Sequence, residues 1–288
     1  MGDEFTGNEI FKGDLDEKKI MSTAKTLNII FIVDTSGSML VKEKVRVKEN
    51  DVEVEKEMSR IDAVNESFTK MIPALREIQK DCISQFELKI AIMTFDYDAR
   101  WIVEPRNITE YNHDPIDCSK WQTLYSKAFD ELDQKLSRKE FIPKIGKVAE
   151  PYIMFLTDGA PTEGDDYDSA LDRLLENAWF KHSQRYAVLM GKEAIDSTSA
   201  RQAVSRFISG EPSEGIIEAV AAEEICAAVE ANTIKSIIDA TKRTPVSDDD
   251  NGRNDEGDGS GSGNDDGGFG GYDFDKDFDE EYGEDSFS

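Results

Sequence analysis

Three oxygen-bearing side chains stand at alternate positions directly after an apolar segment, residues 27–33. They are Asp34, Ser36 and Ser38. One carboxylate and two hydroxyls with this spacing can reach one side of a turn, and hard oxygen ligands of this kind hold Mg²⁺ or Mn²⁺ in proteins. The apolar segment predicts a buried strand, and open α/β sheets place their ligands at the carboxyl ends of such strands. These residues therefore predict a metal site.

Two further oxygen ligands occupy matching places later in the chain. Asp158 directly follows a second apolar segment, 152–157, and Thr123 follows a polar loop and is predicted to open a helix. Both elements would neighbour the first strand in a doubly wound sheet. With the first three side chains they make five candidate metal ligands.

The hydrophobic pattern alternates between strand-like and helix-like segments. Segments 27–33 and 152–157 are apolar on both faces, which favours a mostly parallel sheet covered by helices on both sides. The predicted fold class is therefore α/β, with a doubly wound sheet. Further strands are predicted at 87–95, 101–103, 186–190 and, as an edge, 215–218, and helices at 61–79, 124–136, 171–178, 203–208 and 225–237.

Composition divides the chain into three parts. Residues 1–25 form a polar lead-in, 26–243 the folded domain, and 244–288 an Asp- and Gly-rich tail whose composition is typical of disorder. A charged insert at 41–58 follows the first metal motif. Its valines predict a small β-hairpin with a four-residue turn at 48–51, and the alternative is a solvated, mobile insert. In either form it is placed to shape or cover the metal site.

The net charge of −27 limits the partners. From Val246 to Ser288, 16 acidic residues stand against two basic ones, which gives this segment a net charge of −14. Such a surface repels phosphate backbones and anionic lipids, so we expect neither nucleic acid nor membrane as a partner. No apolar run reaches the roughly 18 residues of a membrane span, and the amino terminus lacks a secretory signal pattern. The widely spaced cysteines predict reduced thiols and a cytoplasmic protein.

Four stretches of the sequence together resemble a known family. They are Ile30-Phe-Ile-Val-Asp-Thr-Ser-Gly-Ser-Met39, Ile90-Ala-Ile-Met-Thr-Phe-Asp96, Thr123 and Phe155-Leu-Thr-Asp-Gly159. Over residues 26–240 the chain resembles the von Willebrand factor A (VWA) fold with its metal-ion-dependent adhesion site (MIDAS). The resemblance implies that Asp34, Ser36, Ser38 and Thr123 bind the metal, and that Asp158 binds it directly or through water. The expected ion is Mg²⁺, with Mn²⁺ or Ca²⁺ as alternatives.

A narrower resemblance rests on residues 94–105 and on Leu156-Thr-Asp-Gly-Ala-Pro-Thr162. On these residues the chain is most like the bacterial tellurium-resistance-type VWA proteins. That likeness implies a place beside a PPM-type protein phosphatase and a Ser/Thr kinase in a stress-response module. Two features depart from the pattern. The insert at 41–58 is longer than the usual connection, and Trp121-Gln122 stands where many relatives have glycines.

Two functions compete for such a site. In the first, the chain is a metal-dependent protein-binding adaptor, because a cation held by only two carboxylates stays electrophilic and takes an acidic side chain from a partner. In the second, it is a metal-dependent phosphatase or phosphotransferase, with a strand-end aspartate as nucleophile and an acid two residues later. That second position is Ser36, which cannot act as the acid at neutral pH. We therefore predict a binding module and not an enzyme.

The tail suggests further interpretations. Aromatic residues interleave with its acids, which predicts docking in a basic, apolar groove of a partner; the alternative is a solubilising tail. Its acids also match some ligand positions of an EF-hand loop, namely Asp273, Asp275, Asp277, Asp279 and Glu284. Phe278 stands where that loop needs glycine, so only weak attraction of Ca²⁺ is expected. As a coil, the link from Pro245 to Asp273 spans about 29 Å, against a domain radius of about 18 Å, so a tail carboxylate can reach the metal as a plug.

Overall fold

The computed structural model describes residues 24–49, 52–118, 122–144 and 146–242. The predicted tail and nearly all of the predicted lead-in lie outside these residues, so the expectations for them stay predictions.

Strands and helices alternate along the described chain. The strands are β1 (Lys25–Asp34), β2 (Lys42–Glu49), β3 (Val52–Ser59), β4 (Phe86–Phe95), β5 (Ala99–Asn107), β6 (Tyr152–Thr157), β7 (Gln184–Met190) and β8 (Ile216–Ala219). The helices are α1 (Arg60–Cys82), α2 (Tyr125–Lys135), α3 (Tyr167–Glu176), α4 (Ala178–Lys181), α5 (Gly191–Ile195), α6 (Thr198–Phe207), α7 (Pro212–Gly215) and α8 (Ala222–Lys242), with a 3₁₀ helix at Gly37–Leu40.

Six strands form the central sheet, in the order β5-β4-β1-β6-β7-β8. β1 is parallel to both β4 and β6, and only β5 runs antiparallel to its neighbour, β4. The order reverses at β1, because the chain moves from β1 to β4 on one side and later adds β6 on the other. This reversal is the switch point at which doubly wound sheets bind ligands.

Alternate residues of β1 face two separate hydrophobic cores. Phe31 and Val33 pack in the core that includes α1 and α8, and Ile30 and Ile32 pack in the core that includes α2, α3 and α6. All four side chains are fully buried. Helices therefore cover both faces of the sheet, which confirms the predicted α/β fold class.

Several predicted bounds shift by a few residues. The short strand predicted at 101–103 is the longer edge strand β5, and the edge strand predicted at 215–218 is β8. Thr123 does not open a helix, since α2 begins at Tyr125 and Thr123 lies in the loop before it. No helix within the described residues is long and apolar enough to cross a membrane.

The charged insert folds as a hairpin, which the sequence predicted as one of two alternatives. β2 and β3 pair antiparallel from Lys42 opposite Ser59 to Glu49 opposite Val52. The predicted four-residue turn at 48–51 is wrong. β2 continues to Glu49 and β3 begins at Val52, so only residues 50 and 51 stand between the two strands. The prediction ended both strands at their valines, whereas the charged residues 48 and 49 continue β2.

The base of the hairpin belongs to the core of the domain. Val45 and Met58 are 2% and 5% exposed and pack in the same core as α1 and α8. The backbone N–H of Ala222, at the start of α8, donates to Glu43 Oε2 at 3.3 Å. The hairpin is thus anchored at the end nearest the first metal motif.

We expect Met58→Ala to lower the free energy of unfolding by about 2–3 kcal/mol, because it leaves a cavity in this core. Lys44→Ala is the control, since Lys44 is exposed and its ion pair with Glu55 contributes at most about 1 kcal/mol. Urea unfolding of both variants measures the difference. An equal, small effect of the two substitutions would mean that the hairpin base is not part of the cooperative core.

Candidate metal centre

The five candidate ligands lie at the carboxyl edge of the sheet. Asp34 ends β1 and Asp158 directly follows the adjacent strand β6. Ser36 and Ser38 follow β1 at the 3₁₀ helix. Thr123 reaches the same edge because the next residue, Leu124, donates its backbone N–H to Asp96 O at 2.7 Å, beyond the end of β4.

Hydrogen bonds connect several of these side chains directly. Ser36 Oγ lies 3.0 Å from Ser38 Oγ, and Ser38 Oγ donates to Asp158 Oδ1 at 2.7 Å. Thr123 meets this group beside Gly159, where an added Cβ would lie 4.0 Å from both Ser38 Oγ and Thr123 Oγ1. The fold therefore brings the oxygens of β1, β6 and the α2 loop to one place.

Asp34 is held by hydrogen bonds to both carboxylate oxygens. The backbone N–H of Ser36 donates to Oδ1 at 2.8 Å, and Thr157 Oγ1 donates to Oδ2 at 2.8 Å. The Tyr125 hydroxyl supports Thr157, at 3.0 Å from its Oγ1, and donates to Gly159 O at 2.7 Å. These contacts fix the orientation of Asp34 from three different elements.

Burial raises the pKa of both carboxylates of this centre. Burial, and then the negative charge of Asp158, raise the pKa of Asp34 to about 7. Burial also raises the pKa of Asp158, although hydrogen bonds from Arg60 and Ser38 act against that shift. Two buried like charges at neighbouring strand ends are unfavourable without a cation beside them.

Arg60 supplies a positive charge at this place, and the sequence analysis missed it. Its Nη1 donates to Asp158 Oδ2 and its Nη2 to Glu193 Oε2, both at 2.8 Å. A signal for its position does exist, because Ser59 and Asp62 form a capping box that marks the start of α1. Its pairing with Asp158 has no local signal.

The centre opens to solvent on one side. Ser38 is exposed, whereas the other four candidate ligands are at most 8% exposed. A cleft of about 480 Å³ has Thr35, the neighbour of Asp34, in its lining, but none of the five candidate ligands lines it. The exposed Ser38 is therefore the side of the centre that a partner side chain can approach.

The donor set fits a hard divalent cation. Two carboxylates and three hydroxyls are oxygen ligands, which suit Mg²⁺, Mn²⁺ or Ca²⁺ and not a soft metal. Within the described ranges, no group of three or more His, Cys, Asp or Glu side chains is placed to hold a metal. Any metal at this edge of the sheet thus depends on the hydroxyls as well as on Asp34 and Asp158.

Neither a protein-family model nor a curated protein matches the chain. Solved structures do match. The pilus adhesin SpaC from Lactobacillus rhamnosus GG aligns with 75% of this chain at a TM-score of 0.51 and 13% identity. The likeness is one of fold.

Two other matches bear the VWA or MIDAS name. A von Willebrand factor type A structure from Catenulispora acidiphila aligns with 75% of this chain at 13% identity and a TM-score of 0.48. Proximal thread matrix protein 1 from the mussel byssus, solved with a zinc-occupied MIDAS motif, aligns with 76% at 13% identity and a TM-score of 0.42. The alignments span only 31%, 43% and 47% of these three proteins, respectively.

We expect Thr157→Val to lower the free energy of unfolding by about 1–3 kcal/mol, because the nearly isosteric change leaves buried Asp34 Oδ2 without its donor. Thr69→Val is the matched control, since the Thr69 hydroxyl is exposed and bonds only to Asn65 O in its own helix. Urea unfolding in EDTA compares the two. A loss no larger than that of the control would contradict the role of Thr157.

We expect Mg²⁺ or Mn²⁺ at about 100 times its dissociation constant to stabilise the fold by about 2.7 kcal/mol, which raises Tm by about 5–10 °C for a domain of this size. Asp34→Asn should abolish the rise. Asp81→Asn should keep it, since Asp81 is exposed near the far end of α1. Thermal unfolding with metal and with EDTA measures both. A metal-dependent rise that persists in Asp34→Asn would place the metal elsewhere.

Proposed function

We propose that the protein is a metal-dependent protein-binding module of the VWA type. In this proposal Asp34, Ser36, Ser38 and Thr123 hold a divalent cation, and Asp158 binds it directly or through water. The convergence of these five side chains at the switch point of the sheet carries the proposal, because they come from three separate parts of the chain and all bear hard oxygen ligands.

The bound cation would supply an electrophilic position for an acidic side chain of a partner. The residues of the chain itself provide the fixed geometry around it. The backbone N–H of Ser36 and the Thr157 hydroxyl orient Asp34, and the Ser38 hydroxyl orients Asp158. The exposed Ser38 leaves one side of the centre accessible to a protein surface.

A binding role is favoured over phosphoryl transfer. The residue two positions after Asp34 is Ser36, whose hydroxyl is engaged with Ser38 at 3.0 Å and is not an acid at neutral pH. The guanidinium of Arg60 pairs with two carboxylates, Asp158 and Glu193, and these ion pairs compete with the binding of a phosphate. The proposed chemistry is therefore ligand capture without turnover.

The partners, the physiological ion and the location in this proposal rest on the sequence alone. The likeness to tellurium-resistance-type proteins supports a stress-response module with a PPM-type phosphatase and a Ser/Thr kinase as partners, and Mg²⁺ as the physiological ion. A cytoplasmic location is proposed from the three widely spaced cysteines of the sequence. The docking role of the acidic tail belongs to residues outside the described structure.

The test is capture of partner proteins from a cell extract on the immobilised full chain. We expect bound proteins that are released by EDTA, restored by added Mg²⁺ and absent with Asp34→Ala, because the cation forms the contact. Asp81→Ala is the control and should bind as the wild type does. Capture that survives both EDTA and Asp34→Ala would show that binding does not use the metal centre.

A further inference from the structure

Arg60 is an unusual component of the candidate metal centre because its guanidinium is buried. Its side chain is 5% exposed, and its two carboxylate partners differ sharply: the side chain of Asp158 is 0% exposed and that of Glu193 is 75% exposed. Water screens the charge of Glu193, so its attraction to Arg60 is weak. The ion pair that matters inside the protein is therefore Arg60 with Asp158.

The backbone at the start of α5 leaves space for this guanidinium. Gly191 has a φ of +79°, and a Cβ at that position would overlap the Arg60 guanidinium. Only glycine combines this left-handed backbone with the close approach of a side chain. Arg60 is thus held between Asp158 and the backbone after β7, and it does not extend into solvent.

Arg60 changes the net charge of the centre when a divalent cation is bound. Asp34 and Asp158 contribute −2 when ionised, and Arg60 contributes +1 next to Asp158. A divalent cation brings the sum to +1. Without Arg60, the metal-bound centre would be neutral. With Arg60, it becomes neutral only when a carboxylate of a ligand also binds.

We propose that Arg60 increases the cooperativity with which the divalent cation and an anionic ligand bind at this centre. The inference rests on the proposed function, because it concerns the same metal site. Arg60 repels the cation and weakens its binding when no anion is present. A carboxylate ligand removes the excess positive charge, so each of the two strengthens the binding of the other by the same factor.

A merely structural Arg60 would leave this coupling unchanged. An ion pair that only holds α1 against β6 affects the stability of the fold, whereas a charge that sets cooperativity affects how much a carboxylate tightens metal binding. The decisive quantity is therefore the ratio of Mn²⁺ dissociation constants without and with a carboxylate. Acetate is the probe for the carboxylate and Mn²⁺ the probe for the cation.

Calorimetric titration of the full chain with Mn²⁺, with and without saturating acetate at constant ionic strength, measures this ratio. We expect acetate to tighten Mn²⁺ binding about fivefold or more in the wild type, in the range of usual coupling between sites. In Arg60→Gln, Mn²⁺ alone should bind about tenfold more tightly, because a nearby positive charge is gone, and acetate should tighten Mn²⁺ binding by a smaller factor than in the wild type.

Two further variants complete the design. Arg173→Gln is the matched control, because it removes the same charge from an exposed ion pair between Arg173 on α3 and Asp130 on α2, and it should behave as the wild type does. Glu193→Gln leaves Arg60 in place without its exposed partner and changes only a surface side chain. It should weaken binding of Mn²⁺ alone about twofold and enlarge the effect of acetate, opposite in direction to Arg60→Gln.

The results separate the two proposals. No Mn²⁺ binding by the wild type would refute the metal-binding function, and the inference with it. Mn²⁺ binding that Arg60→Gln leaves unchanged or weakens, with the acetate effect intact, would overturn the role of Arg60 alone. Should Arg60→Gln not fold without metal, Arg60→Lys decides, because it keeps the positive charge: an acetate effect like that of the wild type supports the inference, and its loss overturns it.

Discussion

Two buried carboxylates at the ends of adjacent parallel strands set the main constraint on this structure. Asp34 and Asp158 follow β1 and β6, where water is excluded and their charges repel. Each needs donors or a cation, because an uncompensated buried charge costs several kcal/mol. Thr157 and the Ser36 backbone donate hydrogen bonds to Asp34, and Arg60 and Ser38 donate hydrogen bonds to Asp158. The same arrangement makes the place suitable for a divalent cation.

The path of the chain between Ser38 and α1 follows from this constraint. The hairpin departs after the metal motif and returns, since Lys42 pairs with Ser59 at its base. Arg60 therefore begins α1 close to the motif from which the chain left, with the capping box of Ser59 and Asp62 fixing the first turn. A mobile insert would not have returned the chain in one register, so the hairpin contributes to the centre without any candidate ligand of its own.

Much of the fold was predictable because burial produces a local pattern. Segment 152–157 is apolar except for Thr157 and the Tyr152 hydroxyl, and it forms β6 within the same bounds because both of its faces are covered. Predictions were poorer where water covers a segment. The strands of the hairpin continue through charged residues to Glu49, and β5 at the sheet edge is longer than its apolar part, 101–103. Exposed strands pay no hydrophobic penalty for charge, so their ends leave little trace in the sequence.

The sequence by itself determined the alternation of strands and helices and the position of four of the five candidate ligands, Asp34, Ser36, Ser38 and Asp158, at or after strand ends. It could do so because apolar periodicity and strand-end positions are properties of neighbouring residues. Only the tertiary structure decided which charges meet there. Arg60 lies 98 residues from Asp158 and 133 from Glu193, and Gly191 makes room for its guanidinium. Contacts between such distant residues depend on the packing of α1 against the ends of β6 and β7, which no local pattern specifies.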